Sequence, residues 1–169
     1  MRGGKKIEER PIDLLFAQYA SQYQHPTNRW LQWICIPFIT FGMTGLIWFL
    51  PFPHLPFLGQ YNGFINWFTI MMAIAVYYYL KLAPTLSYAM LFTFGFFSFL
   101  IVQLEYWEKA GGLTPWMPCL FLFIIGAIGQ MIGYKMEGKK LPFFTHLKFL
   151  LIGPIWLWHM IFKKLKIPY

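Results

Sequence analysis

The chain has 169 residues, of which 58% are hydrophobic, 22% aromatic and 12% charged, and its formal net charge is +8. A soluble domain of this size could not cover so much apolar surface, so the composition favours one integral membrane domain over residues 1–169. The charge does not indicate a nucleic-acid partner. The lysines stand at the ends of apolar runs, where they orient a membrane protein and meet anionic headgroups.

Residues 1–29 are predicted to form an N-terminal segment at the membrane interface. Apolar side chains recur there at spacings of three and four, which gives one apolar stripe on an amphipathic helix that begins near Pro11. The stripe consists of Ile12, Leu15, Phe16, Tyr19 and Tyr23. Because Pro26 disfavours helix at the residue before it, a bend is expected ahead of the next segment.

Four apolar runs follow, at residues 33–50, 64–80, 84–104 and 116–134. Each has 17 to 21 residues without Asp, Glu, Lys or Arg. About 20 apolar residues cross roughly 30 Å of hydrocarbon, so the runs predict four transmembrane helices in an all-α, polytopic helical bundle. The lack of ionisable side chains within the runs argues against ion-coupled transport.

The loops between the runs predict the orientation of the chain. Basic residues are abundant before the first run and after the fourth, whereas residues 51–63 carry no charge. The positive-inside rule then places the N-terminus in the cytoplasm, in the inner membrane of a bacterium or the endoplasmic reticulum of a eukaryote. Cys35 and Cys119 would lie at opposite depths, too far apart for a disulfide, and are expected to serve packing.

A fifth apolar segment, residues 147–162, is predicted not to cross the membrane. It contains Pro154, which is expected to break a helix midway, and lysines flank it on both sides. A spanning helix would place one of these lysine clusters on the wrong side. We therefore expect a re-entrant or interfacial segment with a cytoplasmic C-terminus, and a short fifth span is the alternative.

Two polar clusters are expected to meet at the inner side under this topology. The cluster where the first span begins consists of Tyr23, His25, Asn28 and Gln32. The cluster where the fourth span ends consists of Gln130, Tyr134 and Glu137. Residues four apart share a face of a helix, so each cluster can point one way. The structural alternative is that the amides merely join helices and that the glutamate pairs with neighbouring lysines.

Two further patterns bear on these clusters. Gly126, Gly129 and Gly133 form a surface of small residues that would let another helix approach closely. A metal site could be built from Glu137 with histidines, because imidazole and carboxylate suit iron. The candidate histidines are His25, His146 and His159. Their spacing is not diagnostic, since the chain has no HxxxH or HExxH motif.

Two motifs resemble those of a known membrane family. Residues 21–28 read Ser-Gln-Tyr-Gln-His-Pro-Thr-Asn, and residues 129–140 read Gly-Gln-Met-Ile-Gly-Tyr-Lys-Met-Glu-Gly-Lys-Lys. With residues 32–37 and 150–154, they resemble the family of the yeast 2-hydroxy fatty acid dioxygenase of the endoplasmic reticulum. The resemblance covers nearly the whole chain. It implies iron(II)-dependent oxidation of a 2-hydroxy fatty acid by O2, which shortens the acid by one carbon, with histidines of the motifs as iron ligands.

The chain departs from the family pattern at the histidines. Tyr23, Gln32 and Tyr134 stand where that pattern has histidine, and His25 falls at a position that varies. The family positions that match are Asn28, Pro37, Gln130 and Glu137. Amides are weak ligands and an ordinary tyrosine, with a pKa of about 10, binds ferrous iron poorly.

These observations support one preferred hypothesis and two alternatives. The preferred hypothesis is a lipid-binding membrane protein of this family whose iron site has degenerated; its partner would be a membrane lipid or a 2-hydroxy fatty acid, with no cofactor. The first alternative is an active dioxygenase that holds Fe(II) with relocated ligands. The second is a non-catalytic protein of packed helices, and the chain could form a homo-oligomer.

Overall fold

The structure is a computed structural model that describes residues 10–57, 59, 65–138 and 143–168, and of residues 143–149 it describes the backbone alone. Within these residues the secondary structure consists of six α-helices and no strand, which confirms the predicted all-α class. The helices are α1 (Pro11–Ala20), α2 (Pro26–Trp48), α3 (Trp67–Leu82), α4 (Pro84–Lys109), α5 (Trp116–Met136) and α6 (Phe143–Leu165).

Local sequence sets where most of these helices begin. Pro11, Pro26 and Pro84 occupy the first positions of α1, α2 and α4, where a missing N–H costs nothing and the fixed φ angle suits a helix. α3 begins with a capping box. The Asn66 side chain accepts from the Thr69 N–H at 3.0 Å, and the Thr69 hydroxyl accepts from the Asn66 N–H at 2.8 Å.

Within the described part of the chain, three helices are long and apolar enough to cross a membrane, namely α2, α4 and α5. α3 has 16 residues, which span about 24 Å at 1.5 Å per residue, short of the roughly 30 Å of hydrocarbon. Large apolar side chains also face outward; Phe92 and Met131 are each 70% exposed. The chain therefore fits a membrane protein. The count of four spans and the side of the membrane that each terminus occupies stay predictions.

The fifth apolar segment differs from its prediction. α6 is one continuous helix of 23 residues that includes Pro154, so the expected break and a re-entrant hairpin over residues 147–162 are both wrong. Pro154 lacks the N–H of one helical hydrogen bond, but residues 152–157 are all buried against other helices. This packing holds the helix together through the proline, because tertiary contacts supply most helical stability in proteins. The interfacial position and the short fifth span stay predictions.

The apolar stripe of α1 packs against α6. Ile12, Phe16 and Tyr19 are 1–3% exposed, and the ring centroids of Tyr19 and Trp156 lie 5.0 Å apart. The stripe was predicted to face the membrane interface, but α6 covers most of it. The burial of the apolar stripe of α1 is therefore explained by its contact with α6.

α6 is also tied to the hairpin that α3 and α4 form. The Tyr79 hydroxyl of α3 donates to the Leu151 carbonyl at 2.6 Å, and the Trp158 indole N–H donates to the Thr93 hydroxyl of α4 at 2.8 Å. α6 therefore lies against α1 on one side and against the hairpin on another.

α2 and α5 pack antiparallel in close contact along their length. A Cβ added at Gly126 would lie 2.6 Å from the Ile39 Cγ1 atom, and one at Gly133 would meet the Asn28 side chain. The predicted close approach at the glycines of α5 is thus confirmed, and its partner is α2. Such contact needs residues without side chains, because a methyl group at any of these positions would push the helices apart.

The two cysteines fit into the same seam. Both are free and buried. The Cys35 thiol contacts Gly129 of α5, and the Cys119 thiol contacts Gly45 of α2. Each thiol fills the space that a glycine of the opposite helix leaves open, which agrees with the predicted packing role.

Replacing Gly126 with alanine is expected to lower the free energy of unfolding by about 1–3 kcal/mol, because overpacking a tight contact forces the helices to shift. The matched control is Gly95→Ala on α4, where an added Cβ meets nothing within 4 Å and alanine should be neutral or slightly stabilising. Reversible unfolding in mixed micelles measures both variants. Equal stability of the two would contradict the close contact of α2 with α5.

Candidate functional site

The start of α2 and the end of α5 are neighbours, as the sequence predicts. The antiparallel seam brings Asn28 beside Gly133, and the Asn28 Nδ2 donates to the Glu137 Oε1 at 3.0 Å. The same carboxylate oxygen accepts from the backbone N–H of His25 at 2.9 Å. Glu137 therefore joins the C-terminus of α5 to the turn that precedes α2. The structural alternative, a pair with neighbouring lysines at the surface, stays a prediction, because Lys139 and Lys140 lie outside the described residues.

Amide and phenol groups extend this contact into the bundle. Gln32 Nε2 donates to Asn28 Oδ1 at 3.2 Å, and Gln130 Nε2 donates to Gln32 Oε1 at 3.2 Å. The Tyr134 hydroxyl donates to Gln130 Oε1 at 3.4 Å and lies 3.2 Å from the Tyr23 hydroxyl. We call this chain of six side chains the polar ladder; it consists of Tyr23, Tyr134, Gln130, Gln32, Asn28 and Glu137.

The hydrogen bonds of the polar ladder all point the same way. Because Tyr134 uses its proton toward Gln130, Tyr23 is the donor to Tyr134, and each later amide donates one step further until the chain ends on the Glu137 carboxylate. A carboxylate only accepts, so it is the natural end of such a chain. Aligned hydrogen bonds polarise one another, and burial strengthens them.

Three of the six ladder side chains are deeply buried, and the other three are half-buried. Asn28 and Gln32 are fully buried, and Tyr23 is 1% exposed. Polar groups without water must find partners within the protein, and here each finds one in the ladder. The six family-motif positions predicted from the sequence are therefore brought together.

Aromatic rings enclose the Tyr23 end of the ladder. The ring of Tyr23 lies 4.8 Å from that of Tyr19 and 6.4 Å from that of Trp156. Burial raises the pKa of the Tyr23 hydroxyl far above its usual value, and the neighbouring hydroxyls of Tyr19 and Tyr134 raise it further. Tyr23 therefore stays a neutral phenol at any physiological pH. Trp156 was not among the predicted site residues, and its place on the apolar segment is its only signal in the sequence.

Two of the predicted metal-binding histidines, His25 and His159, have described side chains, and their contacts with Thr27 and Phe16 lie outside the ladder. His25 caps α2, since its Nδ1 accepts from the Thr27 N–H at 3.3 Å. His159 lies on α6 with its ring 4.3 Å from that of Phe16. His146 falls where only the backbone is described. Among the residues whose side chains the structure describes, no group of three histidines, cysteines or carboxylates could hold a metal ion.

The six ladder side chains are a poor donor set for ferrous iron. Iron of the oxygenase kind is held by imidazole and carboxylate, whereas the ladder offers three amides, two neutral phenols and one carboxylate. The side-chain oxygens of Asn28, Gln32 and Gln130 each accept a hydrogen bond within the ladder. A metal would have to compete with these bonds for weak, neutral ligands. The residues at the motif positions do not fit the metal.

An apolar cavity of about 260 Å³ lies between α2, α4 and α6. Its lining is apolar apart from the hydroxyls of Thr40 and Thr93, and it approaches the lower end of the volumes of ligand pockets, roughly 300 Å³. Phe92 and Phe96 at its edge are 70% and 50% exposed, so the cavity opens sideways on the outer surface of the bundle. Nothing in the sequence pointed to it, because its walls come from three helices that are distant along the chain.

The apolar helices and the buried polar ladder define an all-α protein of the membrane class. The Mpo1-like family, described as 2-hydroxy-palmitic acid dioxygenase Mpo1-like, matches the chain over residues 10–165. Comparisons with curated proteins and with solved structures found no match. Because the family match spans most of its length, the chain belongs to the Mpo1-like family, as the resemblance of its motifs predicted.

Replacing Glu137 with alanine is expected to lower the free energy of unfolding by about 2 kcal/mol, because the N–H groups of His25 and Asn28 lose their charged acceptor. Glu137→Gln keeps one acceptor oxygen and should cost less. Glu108→Ala, at an exposed position of α4, is the control for loss of a carboxylate. Chemical unfolding measures all three, and an alanine at 137 as harmless as one at 108 would contradict the ladder.

Proposed function

We propose that this member of the Mpo1-like family binds a fatty-acyl lipid without an iron centre. The observation that carries the proposal is the one-way hydrogen-bond chain from Tyr23 to Glu137. At the motif positions where the family places histidines, this chain has side chains that satisfy one another. A fatty-acyl ligand is proposed because the family is described as 2-hydroxy-palmitic acid dioxygenase Mpo1-like. The proposal includes no iron, because the six ladder side chains are a poor donor set for this metal.

The apolar cavity is the place proposed for the acyl chain. Gln32 of the ladder, Ile36 and Thr40 lie one helical turn apart on the same face of α2, and the last two line the cavity. One turn rises about 5.4 Å, so the polar end of a lipid whose chain fills the cavity lies close to the ladder. A hydroxyl group can donate to and accept from amides, and a carboxylate accepts from amide N–H groups, which suits a 2-hydroxy fatty acid as the ligand.

Metal analysis separates this proposal from the active dioxygenase. The purified protein, loaded anaerobically with Fe(II) and desalted, is expected to retain far less than one iron per chain, because the ladder lacks strong ligands. Stoichiometric iron that is lost in His146→Ala or His159→Ala would contradict the proposal and favour relocated ligands.

Restoring histidine at Tyr23, Gln32 and Tyr134 together is expected to create an iron site, because these positions converge within one hydrogen-bond chain. Bound iron per chain, measured by elemental analysis after desalting, is expected to approach one. The control carries the same number of new histidines at exposed positions of α1, α3 and α4, as Gln18→His, Tyr78→His and Tyr106→His. A folded triple variant that binds no more iron than this control would contradict the proposal that the ladder stands in place of a degenerated iron site.

Narrowing the cavity is expected to reduce the lipid that the protein carries. Ile161 of α6 lines the cavity at a half-buried position, and Ile161→Trp places a larger ring within it. Mass spectrometry of extracts from purified protein should show several-fold less of any enriched fatty-acyl species. The control is Ile167→Trp, outside the cavity and beyond the end of α6. Equal lipid in the two variants, or no enriched species in the parent protein, would contradict acyl binding in the cavity and favour a protein of packed helices alone.

A further inference from the structure

A second recess lies on the opposite side of α6 from the apolar cavity. α1, the first turn of α2 and the end of α6 enclose an open groove of about 530 Å³. Its floor consists of Phe16 and Ala17 of α1 with Trp156, His159 and Met160 of α6, and it is apolar apart from the His159 imidazole. We call it the basic groove, because its rim carries Arg29, Lys163 and Lys164.

The rim of the basic groove has an excess of positive charge. Among the described residues Asp13 is the one carboxylate that lines it, and its Oδ2 lies 2.9 Å from the Arg10 Nε in an ion pair. Over the portion of the chain with described side chains, Arg29, Lys163 and Lys164 form no ion pair. Three cations that converge on one recess repel each other, and an anion bound among them relieves this repulsion.

The groove lies at the end of a helix that is long enough to cross a membrane. Arg29 stands in the first turn of α2, and its neighbour Trp30 is 76% exposed. Exposed tryptophan and arginine at the end of an apolar helix are typical of the level of the lipid headgroups. A recess with an apolar floor and a cationic rim at that level matches a phospholipid, whose phosphate lies beside its apolar chains.

The groove and the apolar cavity are separate sites. α6 contributes different residues to the two sites. The groove is lined by its residues 156, 159, 160 and 163, and the cavity is lined by its residues 154, 157, 158 and 161. Both sets follow the spacing of one helical face, and they lie on different faces of α6. An inference about the groove therefore does not depend on what fills the cavity.

We propose that the basic groove binds the headgroup of an anionic phospholipid. The phosphate lies among Arg29, Lys163 and Lys164, and the first methylenes of the acyl chains contact Phe16 and Met160. An arginine and two lysines together form charge-assisted hydrogen bonds to phosphate oxygens. The proposal concerns a bound lipid of the surrounding membrane, distinct from the fatty-acyl ligand of the cavity.

Native mass spectrometry of the delipidated protein tests the proposal, with dioleoyl-phosphatidylglycerol and dioleoyl-phosphatidylcholine as separate ligands. The protein is expected to prefer the anionic lipid. Lys163→Gln with Lys164→Gln should weaken its binding by about fivefold for each charge removed. The control, Lys81→Gln with Lys109→Gln, removes the same charge at the ends of α3 and α4 and should bind like the parent protein.

The groove itself is tested without a change of charge. Ala17→Trp fills it from α1 and should weaken binding of the anionic lipid, whereas Ala73→Trp on an exposed face of α3 should not. The proposal would be overturned if the two double lysine variants lost binding of the anionic lipid equally. It would also be overturned if the protein did not prefer the anionic lipid, or if Ala17→Trp bound that lipid as the parent protein does. Displacement of the lipid by equimolar inorganic phosphate would also overturn it, because the ligand would then be a soluble anion.

Discussion

The close antiparallel contact of α2 with α5 is the constraint on which the site depends. Gly126, Gly129 and Gly133 hold no side chain where α2 passes, and a Cβ at Gly133 would collide with the Asn28 amide. Displacing that amide would break its hydrogen bond to the Glu137 carboxylate. The same glycines that let the helices pack therefore set the geometry of the polar ladder.

Under the proposed function, the ladder keeps a buried polar site in a membrane protein without a metal. A metal centre concentrates positive charge that its ligands must balance, whereas the ladder passes hydrogen bonds through neutral groups to one carboxylate. Each amide contributes one donor and one acceptor, so replacing imidazole by glutamine or tyrosine preserves a continuous chain. A partly satisfied network would be costly in such surroundings, and this cost explains why all six side chains belong to a single chain.

Much of the site could be predicted from the sequence, and much of the surrounding fold could not. Local patterns revealed the small-residue face of α5 and the polar residues at the two helix ends, and the alternation of the apolar runs predicted that those ends meet. The continuity of α6 was hidden, since Pro154 breaks an isolated helix and only burial by other helices compensates for it. The cavity was hidden for a related reason: Thr40, Thr93 and Leu157 become neighbours only through packing.

α6 also explains why two proposed ligands must be two molecules. Its cavity face and its groove face both follow helical spacing, and the backbone of the helix stands between them. A single lipid would have to pass around α6 to reach both recesses, although Trp156 and Tyr19 close that side by ring contact. A lipid in the groove contacts the face opposite to the one that walls the cavity. The proposed groove lipid would contact one face of α6, while the cavity on the other face would remain open to a different acyl chain through the gap beside Phe92 and Phe96.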